Sequence, residues 1–445
     1  MKRLILALTL ALGLIPTPQD VNKVRALLEQ ALEALKPAPV VTVLATPTQL
    51  NAALLAAKPG DVLTLARTLD YPGALAIQTA GVTLQPEGQL AEQRIDTATP
   101  LPTFRNGITI PADNVTLIGL EVHKVDPLTD ILTLSGGHVT LDRLRILGDP
   151  LKGAKRGIAA NGNGGTMIRR SAVDDCFASW PGNDSQAILA WDMAPGLSIV
   201  DNFLRAGSET ILIGGADASS ADRMPAGVLI DGNTITKRLE WQLLKIGVKN
   251  TLELKAVRGA TITNNDISYS WGGHGQDGYL LLMTVRNQDG RAPWSTVQDV
   301  TVTGNRFAHG AGAINLLGLD NIKETGAGKL VPIGTVRPSV RMARITIRGN
   351  SFDDLDPTKY TGSNRLILIG QGPEQVIIDA NTFTGAHLGS QVYFYGVPPS
   401  VGFTLTGNTW PPATYGLKGD GSASGAATWA AYVTGGTNSG NVIQQ

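Results

Sequence analysis

Val300-Thr301-Val302-Thr303-Gly304-Asn305-Arg306-Phe307 changes the phase of its own pattern part-way along. Val300 and Val302 alternate with polar residues, as one face of a β-strand does, and then the next apolar residue, Phe307, falls an odd number of positions later. The Gly-Asn pair between them is turn chemistry: glycine reaches positive φ at no steric cost, and asparagine bonds to nearby backbone. The octet reads as two short strands meeting at a corner.

The pattern apolar, any, apolar, two residues, usually Asn, any, apolar recurs ten times, beginning at Val115, Val139, Thr166, Leu197, Val228, Ala260, Val300, Ile345, Val376 and Phe403. Seven copies carry Asn at the sixth place, as Asn202, Asn233, Asn265, Asn305, Asn350, Asn381 and Asn408, at steps of 31, 32, 40, 45, 31 and 27 residues. Steps below about 50 residues mean a solenoid, a propeller or an array. Second apolar strands precede many octets, at Ala187, Thr210, Thr251, Tyr279, Ala313, Arg365 and Gln391. A propeller blade needs four strands in ~40–45 residues and a leucine-rich repeat runs ~20–29. Units of 31 or 32 residues with two or three strands fit the coils of a right-handed parallel β-helix, an all-β solenoid, with about eleven or twelve coils from Asp61 to Ile443. Stacked coils would place the seven asparagines in a ladder, each amide bonding its neighbours. The steps of 40 and 45 imply insertions near Arg286 to Thr296 and Asp320 to Val340, and solenoid insertions emerge as loops, often on a binding face.

A solenoid's first coil would leave an apolar cross-section in water. Pro47 to Ala57, with Leu50, Ala53, Leu54 and Ala57 on one side, is expected to form a short helix that plugs it. Three segments follow: residues 1–13 read as a signal peptide, 14–41 as an amphipathic helix (Gln19 to Lys36) with a linker, and 42–445 as the β-helix with its cap. Lys2 and Arg3 ahead of the apolar run Leu4 to Leu12 carry the first reading, which implies a secreted or periplasmic protein; the alternative is an apolar helix that is retained. That run is too short to span a bilayer, so no membrane span is expected.

Lys plus Arg and Asp plus Glu each number 37, so the zero net charge offers no general field for nucleic acid, and an anionic ligand needs a local cluster. The single cysteine, Cys176, allows no internal disulfide, and no zinc spacing is present.

Chemistry-bearing residues concentrate around Thr251-Leu252-Glu253-Leu254-Lys255. Leu252 and Leu254 are expected inward, with Glu253 and Lys255 outward together; aligned outward positions are Leu212 and Gly214, Leu281 and Met283, and Asn315 and Leu317. The pair reads either as an exposed ion pair or as a site in which Lys255 is a base of lowered pKa and Glu253 binds a cation or orients substrate. Arg286 is the candidate positive neighbour, in a segment with Asn287 and Gln288 that suits sugar hydroxyls and carboxylates. Trp271 and His274 lie in a glycine-rich bend, and Asp184, Gln186, Trp191 and Glu209 form a second polar set that reads equally as loop anchoring or substrate contact.

With these residues in view, the chain from about Thr42 onward resembles secreted bacterial right-handed β-helix proteins of the pectate-lyase-like superfamily. It is most similar to an uncharacterised secreted bacterial branch, through Gly148-Asp149-Pro150, Lys155-Arg156-Gly157-Ile158, Asp184 to Ile188, Gly214-Gly215-Ala216-Asp217, Val248-Lys249-Asn250, Glu253-Leu254-Lys255 and Arg286 to Trp294. Alginate lyases and dermatan-cleaving chondroitinases of this fold use Lys as base and Arg as acid, with calcium held by Asn and Glu. The resemblance thus implies Lys255 and Arg286 as catalytic residues and Asn250 and Glu253 as calcium ligands. Lys255 stands where the second calcium Glu falls in those relatives, and their Arg-His-Gly motif is absent. The implied activity is a polysaccharide lyase acting by β-elimination on a uronic-acid glycan. The alternative is a non-catalytic glycan-binding protein or a tailspike-like adhesin.

Overall fold

Each octet turns its corner on one left-handed residue. Gly304 has φ +65°, the equivalent Gly349 +62° and Asn264 +56°, and even the non-glycine Ala380 sits at +52°. This twist lets the following asparagine turn inward while the next apolar residue, Phe307 in the quoted octet, regains the core. The computed structural model describes residues 42–124, 128–182, 184–244, 246–273, 276–320, 322–324, 330–332, 339–396, 399–422 and 424–444. The segments read as leader and amphipathic helix, residues 1–41, lie outside the described residues.

The strands form three long parallel sheets of 14, 13 and 12 strands, visited in the order first, second, third by every coil, so the described residues from Val43 onward form a right-handed parallel β-helix of twelve complete coils. Hydrogen-bond register aligns the octets residue for residue: Ala260, Val300, Ile345 and Val376 face one another on successive first-sheet strands. On the first sheet burial falls on alternate residues, whereas third-sheet strands such as Gln186–Ala190 and Glu209–Ile213 are buried throughout; the inward residues feed one continuous core. On the second sheet Phe307, Phe352, Phe383 and Trp410 stack with centroids 4.4, 4.7 and 4.6 Å apart.

The corner asparagines are buried and bonded in series. Asn305 donates through Nδ2 to the carbonyls of Ile262 (2.9 Å) and Thr303 (3.1 Å), while its Oδ1 accepts from the backbone N and Nδ2 of Asn265 at 3.0 and 2.8 Å. The series continues to Asn441, whose Oδ1 accepts from Asn408, and begins at Ser171, whose amide donates to Asn202 Oδ1. Neither end member was singled out in the sequence.

Helix α1 (Pro47–Ala56) opens with a capping box of Thr46 and Gln49 and buries Leu50 in the core, with Ala53, Leu54 and Ala57 packed beside it. A helix not anticipated, α2 (Ala426–Tyr432), covers the other end: Trp429 meets Phe394 and Phe403 edge-on, and Tyr432 stacks on Phe394 at 6.0 Å. Among the described residues no helix is long and apolar enough to cross a membrane.

Candidate functional site

The third sheet is flanked by long connections on both edges. The two insertions both leave it toward the first sheet, following the strands Tyr279–Thr284 and Gly312–Leu317, and the second carries an antiparallel pair, Ile322–Glu324 with Leu330–Pro332. On the other edge, a long connection links Thr234–Thr236 to Leu252–Leu254. The outer face between these edges carries the charged residues that the sequence concentrates around Glu253.

One row of that face opens successive strands: Asp130, Arg156, Gln186 and Glu209 are in register. Arg156 donates to Asp130 and to Gln186 Oε1, each at 3.1 Å, and Gln186 Nε2 donates to Glu209 Oε2 at 2.7 Å. Lys249 Nζ bridges Asp184 (2.6 Å) and Glu209 (3.4 Å). A middle row runs Leu212, Glu253, Leu282, Asn315, Leu368, Tyr393, Lys418. Leu252 and Leu254 enter the core as expected, but Leu282, not Leu281 or Met283, is the outward neighbour of Glu253; those two are core residues.

Glu253 is only 1% exposed. Its Oε1 accepts from Asn250 Nδ2, and its Oε2 has the Lys255 ammonium at 2.8 Å, an ion contact without hydrogen-bond alignment. Asn250 turns its Oδ1 to the Tyr279 amide at 2.8 Å. Lys237, also buried, donates to the carbonyls of Ala206, Gly207, Ser208 and Asn250. Four acids (Asp130, Asp184, Glu209, Glu253) therefore face four bases (Arg156, Lys237, Lys249, Lys255) in a self-neutralising cluster.

Burial disfavours charge throughout this cluster. It pushes the Glu209 carboxyl up to about 7, with Glu253 adding to the shift, and pulls the Lys237 ammonium down to about 7 against the attraction of both glutamates. Lys255 moves the other way. Its burial is outweighed by Glu253 and Glu209, so its pKa is raised, contrary to the lowered value that a lysine base requires. Arg286, the expected positive neighbour, has its guanidinium 3.5 Å from Asp320 and meets Lys255 through backbone, its N donating to the Lys255 carbonyl at 2.9 Å.

Calcium does not fit the implied ligands. It takes 6–8 oxygens. Here Asn250 presents its NH2 to Glu253, and an ammonium already occupies the second carboxylate oxygen. Among the described residues no group of three or more His, Cys, Asp or Glu could hold a metal.

The remaining candidates divide. Trp191 is half-buried, with Arg156 5.5 Å over its ring, and Asn315 lies in the middle row with its Oδ1 buried and without a partner. Asn287 is buried and accepts from the Ala292 amide, a loop anchor, while Gln288 is exposed and held by its backbone N on Asp217. Trp271 is no exposed platform: it packs with Phe177, Trp241 and Tyr360. His274 lies outside the described residues.

Farther along the same face is a cleft of about 340 Å³ that the sequence reading did not assemble. Arg365, Ser390 and Tyr415 are in register on consecutive strands, with Tyr393 and Lys418 beside them. Arg365 lies 4.3 Å over the Tyr393 ring and Lys418 Nζ 4.7 Å from that of Tyr415. Asp130, Arg156, Gln186, Glu209, Asn250 and Arg365 each stand two residues before an aligned inward residue of the third sheet, namely Leu132, Ile158, Ile188, Ile211, Leu252 and Ile367.

No family model matches the chain, and no curated protein does. Among solved structures it is similar to the A-module of a mannuronan C-5 epimerase from Azotobacter vinelandii, with TM-score 0.47 and 14% identity over 89% of this chain and 94% of that one. It is also similar to the Dettilon tailspike protein (TM-score 0.44, 14% identity, 89% of this chain), of which it spans only 63%. A mannuronic-acid-specific family 6 polysaccharide lyase from human gut microbiota gives TM-score 0.40 at 14% identity, covering 91% of each chain.

Proposed function

We propose that the protein is a glycan-binding β-helix that holds an acidic polysaccharide along the outer face of the third sheet. The observation that supports this reading is the Arg365–Tyr393 and Lys418–Tyr415 cleft, which sets two cations and two aromatic rings beside the Ser390 hydroxyl. Rings stack on the apolar face of a sugar, and fixed cations take its carboxylates. From Glu253 to Lys418 the middle row crosses five inter-strand steps, or about 24 Å at ~4.8 Å each, enough for an extended chain. The leader-like Met1 to Gly13 fits export to where such polymers are met.

Lyase chemistry is the second reading, favoured by Lys255 and Arg286 meeting on adjacent coils. It ranks lower because two carboxylates hold Lys255 protonated. One experiment separates them: titrate alginate, pectate and glycosaminoglycan oligosaccharides calorimetrically while following ultraviolet absorbance for unsaturated uronide. Binding without absorbance, weakened roughly tenfold or more in Tyr393→Ala, is expected, a loss of ~1.4 kcal/mol. Unsaturated product that disappears in Lys255→Ala would establish the lyase instead, and neither binding nor product would refute both.

A further inference from the structure

A second site lies away from the third-sheet face. On three consecutive second-sheet strands, Ser268, Ala308 and Asp353 are in register, as are Ser270, Gly310 and Leu355. The residues between them, Tyr269, His309 and Asp354, have φ of +65°, +63° and +52°. The column ends in a bulge, where two residues after Phe352 face one after Phe383. Left-handed backbone at bulky residues costs energy and clusters where a side chain must be re-aimed.

The side chains so presented make a dyad. His309 Nδ1 lies 2.7 Å from Asp354 Oδ2, which also accepts from Tyr360 Oη and Lys359 Nζ at 2.7 Å each. An ionised carboxylate on Nδ1 fixes the tautomer and leaves Nε2 as the nitrogen available to a ligand. The Tyr269 ring stacks on His309 at 4.9 Å. Both line a groove of about 620 Å³, whose wall is Leu239, Leu243 and Tyr360. Leu239 and Leu243 are 48% and 91% exposed, an apolar wall left open beside a base.

We propose that this groove hydrolyses small acyl esters, with His309 taking the proton of the attacking water and the leucine wall receiving the acyl chain. The water oxygen bonds to the acyl carbon as its proton passes to Nε2. The acyl carbon–oxygen bond then breaks, and the alkoxide leaves with that proton, giving one carboxylic acid and one alcohol per water consumed. Asp354 is a positioning residue, since it acts through His309. The site is independent of the glycan reading.

The test uses the full chain with p-nitrophenyl acetate and butyrate. His309→Ala is expected to lower kcat/KM about 10²-fold. Asp354→Asn should lower kcat with KM unchanged, and Leu243→Ser should raise KM for butyrate. His387→Ala, at a histidine paired to Asp356 and 61% exposed outside this groove, should match wild type. Melting curves check that each variant folds. No turnover by wild type, full activity in His309→Ala, or equal losses in His309→Ala and His387→Ala overturns the proposal.

Discussion

Gln186 and Glu209 sit in register on adjacent strands, joined by a 2.7 Å hydrogen bond that leaves the other Glu209 oxygen buried without a hydrogen bond, 3.4 Å from the Lys249 ammonium. Burial raises the folded-state pKa of Glu209 to about 7 from an ordinary 4.5. A raised pKa means that the native state binds the proton more tightly, so this group's stabilisation is full below pH 4.5 and is lost as pH climbs through about 7. Glu209→Gln should abolish that decline, read as the difference between wild-type and variant melting midpoints at pH 5 and pH 7.5.

Lys255→Met should destabilise the fold by about 3 kcal/mol, because it strands the buried Glu253 carboxylate without its cation. The pair replacement Lys255→Met with Glu253→Gln should recover most of that loss in urea titrations. Additive losses in this double-mutant cycle would mean that the two side chains do not act together.

Asn305→Ala removes the acceptor of two donors and the donor to two carbonyls in a buried corner. The expected cost is about 3 kcal/mol, at roughly 1–3 kcal/mol per buried group left unsatisfied. Asn441→Ala, at the outermost corner, should cost less by the same denaturation measurement.

Gly349 and Ala380 hold equivalent corner positions at φ +62° and +52°. A Cβ added at Gly349 meets nothing within 4 Å, so Gly349→Ala isolates backbone strain and should cost about 1 kcal/mol. Ala380→Gly should be neutral or slightly stabilising, since relief of strain offsets the added chain entropy. Calorimetric midpoints of the two variants should move in opposite directions or leave Ala380→Gly unmoved.

The corner was legible in the sequence because Gly304-Asn305 breaks an alternation that both neighbouring strands keep. Tyr279 to Met283 is apolar at every position, so its phase cannot be read locally, and only register shows that Leu282 lies outward. Helix α2 carries no local start signal, since its seven residues lack an N-terminal side-chain cap and follow a glycine-rich stretch. Lys237 is a lone lysine whose carbonyl cage comes from two other segments, and nothing local announces it. The Tyr269, His309 and Asp354 column is invisible for the same reason: the residues are 40 and 45 positions apart and meet only through pairing between coils.

The asparagine corner keeps one geometry while the steps between its members range from 27 to 45 residues. All of that variation is absorbed elsewhere in the coil, and the longest excursion, between Leu317 and Ala343, leaves from the third sheet. The molecule thus behaves as a fixed spine with a rewritable flank. Loops beside the third sheet can be lengthened, exchanged or shortened without disturbing the buried amides that set the pitch. A new surface beside that sheet would then need no new solution of the folding problem, and grafting a foreign loop between Asp320 and Val340 should leave the spine's melting behaviour intact.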